Sequence, residues 1–396
     1  MTKPLEGLTI LAITQYGAGP FAMLHLADLG ANVIKIEDRH SQGDMARRVI
    51  PYSENNDSLF FQTFNRNHKS ITLDLKSAKG KEIFHRLVEK ADAVFNNLRG
   101  DVPEKLGITY SDLGKINPSI VCCSLSGFGT NSSMKHHPAY DYLFQAMLGH
   151  MSLTGEPGGP PTKYGISMMD FSTGVMAALG LMVGIFQAKI KGIGSDVDVS
   201  LFDTSASFLN YLATWHLNKG YEPERTTQSA HPTLVPSQLF ATKDGNLVIM
   251  CNKEKFFPIL CEKLGVPELA EDQDFQDFQG RYTNKNRLIP ILIEIFKKKT
   301  TDEWMNLLSG YVPAAPVNTV KEAMEHPLMT EREMIVHVEH ENFGDMKMLG
   351  TPIKVSSHRP EYKPGPKLGE NNEEVYKEVL GMTEDEIEEL QERGVI

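Results

Sequence analysis

The first 130 residues alternate short apolar runs with helical patterns, and this alternation limits the fold more than any other feature. Residues 8–14 and 32–36 read as strands, and residues 20–29 between them read as a helix ended by Gly30. Residues 71–75, 94–96 and 120–124 are further strands, and Ser77 is placed to cap a helix running to about Ala91. Parallel neighbours need a long crossover connection, usually a helix, so a βαβ series predicts a mostly parallel sheet covered on both faces. The expected class is α/β, with a large Rossmann-like domain.

The remainder adds to that domain and then departs from it. A helix over 171–189, a strand over 196–201 and a helix over 204–218 close the first region, taken as residues 1–221. Residues 236–251 read as a hairpin with Lys243-Asp244-Gly245 at its turn, helices follow over 254–264 and 285–298, and Thr300 with Glu303 makes a capping box. Residues 222–317 are therefore expected to form a smaller α/β middle domain. Residues 318–396 carry strands near 334–339 and 346–349, a Pro-rich stretch over 359–366, and two short helices, the second opened by Thr383. An extended Pro-rich segment can cross another domain or subunit without a core of its own, so this part is read as a return segment completing the large domain.

Composition excludes several classes. A hydrophobic content of 41% and a charged content of 23% over 396 residues are those of a soluble globular protein. The net charge of −11 argues against a nucleic-acid binder, so any anionic ligand needs a local group of cations. The opening Met1-Thr-Lys-Pro-Leu-Glu6 is too polar for a signal peptide, and the apolar run 175–186 is too short to span a bilayer. A cytoplasmic protein with no membrane partner is expected. Cys122, Cys123, Cys251 and Cys261 lack zinc-ligand spacing and read as reduced core residues, with no metal site.

Two motifs bear on chemistry. Asp170 ends the segment Tyr164-Gly-Ile-Ser-Met-Met-Asp170, where a loop turns into the apolar run. There it is expected to receive unpaired backbone N–H groups and the positive end of the helix dipole, and so to be ionised at neutral pH. Such a carboxylate either caps the helix or acts as a nucleophile. The second motif, Gly17-Ala-Gly19-Pro-Phe-Ala22 with Glu37 at the end of the next strand, fits a dinucleotide fingerprint and an NAD-dependent dehydrogenase. Against it, Pro20 removes a helix N-terminal N–H, and Thr14-Gln-Tyr16 puts bulk before the first glycine. The alternative is a Gly-containing turn with Pro in the first turn of a helix.

A longer set of segments matches one family in order. Leu5-Glu-Gly-Leu-Thr-Ile-Leu11, Ala18-Gly-Pro20, Leu29-Gly-Ala-Asn-Val-Ile-Lys-Ile-Glu37, Gly43-Asp44 and Arg47 lead, followed by Asn65-Arg-Asn-His-Lys-Ser-Ile-Thr-Leu-Asp-Leu-Lys76 and Asn97-Leu-Arg-Gly100 with Lys105-Leu-Gly107. Ser126-Gly-Phe-Gly129, Pro138-Ala-Tyr-Asp141, the Asp170 segment, Asp196-Val-Asp-Val-Ser200, Val312-Pro-Ala-Ala-Pro316 and Pro366-Lys-Leu-Gly-Glu370 continue the match. The chain resembles the class III CoA-transferases, the CaiB/BaiF type that includes formyl-CoA and carnitine CoA-transferases. The resemblance implies a homodimer of interlocked, ring-like subunits.

It also implies roles for particular residues. Asp170 occupies the position of the family's catalytic aspartate. CoA, as a substrate and not a tightly bound cofactor, is expected along Gln15, Tyr16 and Ala18 near the thioester, and along Asn97 and Leu98 beside the pantetheine arm. Leu73 and Lys76 would flank the adenine, Arg39, Lys105 and Leu106 would lie near the phosphates, and Tyr140 and Asp141 near Asp170. The implied reaction moves CoA from a short acyl-CoA such as acetyl-, formyl- or succinyl-CoA to a small carboxylic acid through an aspartyl-CoA thioester. Backbone N–H groups at the start of the Asp170 helix are candidate oxyanion donors.

Two departures, and one reading outside enzymes, keep alternatives open. The formyl-CoA transferases shield their aspartate with a glycine run where this chain has Gln228-Ser-Ala-His231-Pro, so His231 is a candidate for orienting an acceptor, or a structural histidine before Pro232. The related α-methylacyl-CoA racemases use a Gly-His-Asp run where this chain has Ala139-Tyr140-Asp141, which lacks the histidine base. A catalytically silent CoA-binding protein is the reading outside enzymes.

Overall fold

The computed structural model describes residues 3–396. The chain divides into two compact units: one of residues up to Leu148 with Tyr164–Ala213 and Leu328–Ile396, the other of Gly149–Lys163 with Thr214–Pro327. The boundaries thus fall short of residue 221 and beyond residue 317, and a loop of the N-terminal region joins the smaller unit. Arg225 holds that loop, donating to the carbonyls of Met151, Ser152 and Gly159.

The larger unit is built on six strands: β1 (Thr9–Ile13), β2 (Asn32–Glu37), β3 (Lys69–Thr72), β4 (Ala93–Asn96), β5 (Val121–Ser126) and β6 (Ser195–Ser200). Their order is β3-β2-β1-β4-β5-β6, with every neighbouring pair parallel. Chain direction across the sheet reverses between β1 and β4, and ligands of such sheets bind outside the carboxyl ends of the strands at that switch point. β3 ends at Thr72, short of the expected 75, because Asp74 donates its N–H to the Val395 carbonyl of the C-terminal tail.

Alternate side chains of each strand feed two cores. Ile10, Ala12 and Val33 pack with Ala22 and Leu26 of α1 (Ala18–Asp28) and with Ala177 and Leu181 of a long helix. Leu11, Ile34 and Ile36 pack on the other face with Ile83 and Leu87 of α2 (Ala78–Val88), and with Val375, Tyr376, Leu390 and Ile396 of the tail. The C-terminal tail is thus part of the core of the N-terminal region.

Three more helices complete the surroundings of the switch point: α3 (Asp141–Met147), α4 (Met168–Lys191) and α5 (Leu201–Phe208). A further helix, α6 (Asn210–Lys219), follows after a break at Asn210, whose φ of 47° a short amide side chain tolerates, whereas the sequence pattern predicts a single helix over 204–218. The 24 residues of α4 are long and apolar enough to cross a membrane. One face is nevertheless core: a Cβ on Gly184 would stand 2.7 Å from Val121, and one on Gly174 2.7 Å from the Ala18 carbonyl. Val175, Leu179, Val183, Phe186 and Ile190 line the other face and are 50–68% exposed.

The smaller unit has a three-stranded antiparallel sheet. The expected hairpin forms as β7 (Ser237–Ala241) and β8 (Asn246–Met250), and β9 (Ala314–Pro316), which has no strand pattern of its own, adds to β8. Phe240, Leu247, Ile249, Phe257, Phe296 and Trp304 fill its core. The Thr300–Glu303 capping box forms, and the Trp304 indole N–H finds the Phe296 carbonyl at 2.7 Å.

At the carboxyl end of β2 lies a buried charge network. Lys35 and Asp44 pair at 2.8 Å with both side chains 0% exposed, and Lys35 also donates to the Thr14 carbonyl. Glu37 takes two bonds from Arg47, at 2.6 and 3.0 Å, and one from Ser70. Burial pushes the Glu37 carboxyl up, but the bonds and charge of Arg47, with Lys35 and Ser70, hold it below the usual range. Asp44 N–H closes the network on Glu37, and Arg47 reaches the Pro366 carbonyl with its plane over Phe61. Arg47→Met, which strands the Glu37 charge, is expected to cost about 3–5 kcal/mol in urea denaturation. Adding Glu37→Met is expected to recover part of that loss, so the double mutant loses less than the sum of the two single changes in the double-mutant cycle.

Candidate active site

The loops after β1 and β4 are locked to one another at the switch point. Gln15 donates its N–H to Asn97 Oδ1, and Asn97 Nδ2 donates to the Gln15 carbonyl, both at 2.8 Å. Gly19 makes room for this exchange, since a Cβ there would lie 2.6 Å from Asn97 Cγ. Tyr16 adopts φ 60°, an unfavourable region for a bulky residue, and is held there by its N–H to Asp44 Oδ1. The β2 charge network therefore shapes the loop that faces the cleft.

Two hollows meet at Gln15 and Leu98. The larger, about 450 Å³, is lined by Gln15, Tyr16, Ala18, Asn97, Leu98 and Tyr140, with Asp170 in its wall. The smaller, about 210 Å³, adds Leu73, Lys76 and Leu106. Both hollows lie outside the carboxyl ends of the strands. Three residues expected at the site line neither. Arg39 donates to the main-chain oxygen of Ile396 at 2.9 Å, and Lys105 is paired with Asp101, which Arg99 also grips. Asp141 is buried behind the wall.

Asp170 differs in two ways from its sequence reading. It does not cap α4, which opens at Met168 with Ser167 as the capping residue; Asp170 lies within the first turn. Its own N–H is taken by Asp141 Oδ2 at 2.9 Å, so the unpaired donor of the helix start is satisfied by the neighbouring carboxylate. The N–H groups of Met168 and Phe171 bond to the carbonyls of Ile166 and Ser167, which removes these three as oxyanion donors. Nor is the carboxyl held ionised. Burial, and then the negative charge of Asp141, push it up to about 7. Among the described residues no donor reaches the Asp170 carboxylate oxygens.

Other residues enter the cleft that composition and spacing did not single out. Met45, Arg99 and His137 line it with Asp170. His137 turns Nδ1 to the Met134 carbonyl at 3.2 Å, and a carbonyl only accepts, so Nδ1 is the donor there. Its signal was its place one residue before Pro138. His231 lies in the smaller unit, where Nδ1 accepts the N–H groups of Thr233 and Leu234; burial lowers its pKa, so it is neutral and shapes a turn.

The dinucleotide reading fails on Glu37. The carboxylate that would take a ribose is buried and filled by Arg47, Ser70 and Asp44. The cysteines are buried and free, and burial pushes the thiols of Cys251 and Cys261 up to about 12, so they are not nucleophiles at neutral pH. Among the described residues no cluster of His, Cys, Asp and Glu is arranged to hold a metal ion.

Fold and site together define an α/β protein with a cleft at the switch point and a desolvated carboxylate in the cleft wall. The profile of CoA-transferase family III matches residues 5–372. Succinyl-CoA:glutarate CoA-transferase of Mus musculus is 35% identical over 396 residues, covering 100% of this chain and 90% of that protein. Acetyl-CoA:oxalate CoA-transferase of Acetobacter aceti is 36% identical over 95% of each chain. A crystal structure of a CaiB/BaiF family protein from Brucella suis matches with TM-score 0.81 and 32% identity, over 96% of this chain and 100% of that one. The chain belongs to CoA-transferase family III, enzymes for which CoA thioesters are substrates.

The environment of Asp170 has a consequence for stability. Folded, it holds its proton to about pH 7; unfolded, it releases it near pH 4. A carboxyl raised in this way adds stability below about pH 4 that is lost as the pH rises through 7. Asp170→Asn, which keeps the shape without the charge, is expected to exceed the parent by roughly 1–3 kcal/mol at pH 8 and to equal it at pH 4. Urea midpoints at the two pH values check this; a loss of stability at pH 8 would return Asp170 to a capping role.

Proposed function

We propose that the chain moves CoA from a short acyl-CoA to a small carboxylic acid through an aspartyl-CoA thioester on Asp170. One observation carries this: a carboxylate without hydrogen bonds to its oxygens, partly desolvated, stands in the wall of a cleft at the switch point. Such a group is ionised in about half the molecules near neutral pH and is more nucleophilic than a solvated carboxylate.

The steps balance without an oxidant, metal or ATP. A carboxylate oxygen of Asp170 adds to the thioester carbonyl of the donor, the C–S bond breaks, and a mixed anhydride and CoA thiolate result. The thiolate adds to the Asp170 carbonyl carbon, releasing the donor acid and leaving a β-aspartyl-CoA thioester. The acceptor carboxylate attacks that thioester and expels the thiolate. The thiolate finally attacks the acceptor's acyl carbon, giving the new acyl-CoA and free Asp170. One thioester replaces another, and the cleft's work is to align the groups and exclude water.

The pantetheine arm runs between Gln15 and Leu98, which border both hollows, and the nucleotide takes the side of Leu73, Lys76 and Leu106. Lys76 is available, 79% exposed and only loosely paired with Asp38 at 3.8 Å. Arg39 and Lys105 contribute to the phosphates by exchanging their present partners. Acetyl-, formyl- and succinyl-CoA are the proposed donors. Dicarboxylates are the favoured acceptors, since the similar proteins are named for glutarate and oxalate.

A racemase reading draws on His137, which lines the cleft together with Asp170. The two readings part in one experiment. Incubation with acyl-CoA is expected to add the mass of CoA to the peptide carrying Asp170, and Asp170→Ala to lose transferase turnover by at least about 10³-fold. Exchange of the substrate's α-hydrogen without a CoA adduct would favour the racemase, and CoA binding with neither would indicate a silent binder. A panel of CoA donors and carboxylates read by mass spectrometry identifies the substrates.

We also propose that the enzyme is a homodimer, interlocked as the resemblance implies. Support comes from the exposed row Val175, Leu179, Val183, Phe186 and Ile190 on α4, an apolar stripe of the kind that marks an interaction surface. Sedimentation velocity is expected to give the mass of two chains, and Leu179→Glu with Val183→Glu should shift it toward one. A parent that sediments as a single chain overturns this.

A further inference from the structure

Asp141 and Asp170 are a carboxylate pair on neighbouring helices, and pairs of this kind usually share a proton. Here the surroundings break the symmetry. Asp141 Oδ2 accepts the N–H of Asp170, and Oδ1 accepts from Gln145 Nε2 on the same helix. An amide can be turned either way, and turned over Gln145 would offer Asp141 an oxygen. It cannot turn, because its Oε1 is taken by the backbone N–H of Tyr164 at 2.8 Å, and a backbone N–H only donates. Gln145 is 0% exposed, so no water substitutes for either partner. Both oxygens of Asp141 therefore accept from N–H donors, and hydrogen bonds of this kind favour the carboxylate over its protonated form.

We infer that Gln145 is a positioning residue, which assigns the negative charge of the pair to Asp141 and the proton to Asp170. The charge so fixed stands behind the reactive carboxylate, and Asp170 titrates against it. The same side chain ties the start of the segment leading to α4, at Tyr164, to the start of α3, so geometry and charge are set by one amide. Of the other groups packed here, Asp203 on α5 is engaged with Ser200, and Tyr140 and His137 face the cleft. The charge that acts on Asp170 is that of Asp141. The inference deepens the nucleophile reading and rests on it for its catalytic consequence, although its test does not.

The test labels protonated carboxyls with a water-soluble carbodiimide and an amine across about pH 4.5–8.5, reading the peptide that carries Asp170 by mass. In the parent, labelling of Asp170 is expected to fall with a midpoint near 7. Gln145→Met keeps the volume but removes donor and acceptor, the proton of the pair moves to Asp141, and the Asp170 midpoint drops by about one pH unit or more. Gln145→Leu likewise removes both donor and acceptor, so its midpoint also drops. A folded Gln145→Met protein with an unmoved midpoint overturns the inference, because a merely structural glutamine would lower melting temperature and leave titration alone. If Gln145→Met does not fold, Gln145→Leu decides, and an unmoved or raised midpoint overturns it. In an active parent, the pH profile of kcat/KM follows the same shifts. A parent that shows the labelling shifts but forms no CoA adduct sinks the transferase mechanism and leaves the role of Gln145 standing.

Discussion

The salt-bridged end of β2 is the constraint on which the rest of the large unit depends. Lys35 and Glu37 alternate with core residues on a strand with both faces covered, so each must find its counter-charge inside the protein. Their partners, Asp44 and Arg47, come from the loop that follows. Through Thr14, Tyr16 and Ser70 the same network reaches the cleft and the sheet edge. Through Pro366 it anchors a segment more than three hundred residues away. Breaking any of these pairs leaves a charge where water cannot reach it, which makes the arrangement cooperative.

A second pair of charges is treated in the opposite way. Glu37 is surrounded by cations and held ionised, whereas Asp170 faces a neighbour of its own sign and is pushed toward neutrality. The first arrangement holds a charge inside the fold, and the second keeps a carboxyl near its titration point in the wall of a cleft. Both are set by what lies opposite the carboxylate, and burial acts on both in the same direction.

The sheet was legible because strand and helix periods differ and the helix start and stop residues are local. Ser77, Thr300 and Thr383 cap the helices expected of them, since a cap is a matter of three or four adjacent residues. β9 was not legible, because Ala314 to Pro316 form a strand only where β8 offers an edge. The helix expected over 204–218 broke at Asn210 for a backbone reason that no side-chain period reveals. Of the cleft, Asn97, Leu98 and Asp170 lie in the ordered motifs and Gln15 followed from the resemblance, while the part of Met45 and His137 emerged only when loops converged.

The amino-acid sequence alone determined the class of fold, the family and the identity of the acidic residue to watch. These depend on local periodicity and on motifs whose order survives without coordinates. It misjudged that residue's state, because a helix start suggests charge stabilisation and the sequence does not tell which N–H meets which carboxylate. Only tertiary structure placed Asp141 and Gln145 behind Asp170, turned the helix's donor away from it and filled Glu37 with Arg47. Ionisation depends on distance and desolvation, and both arise from chain segments brought together by folding.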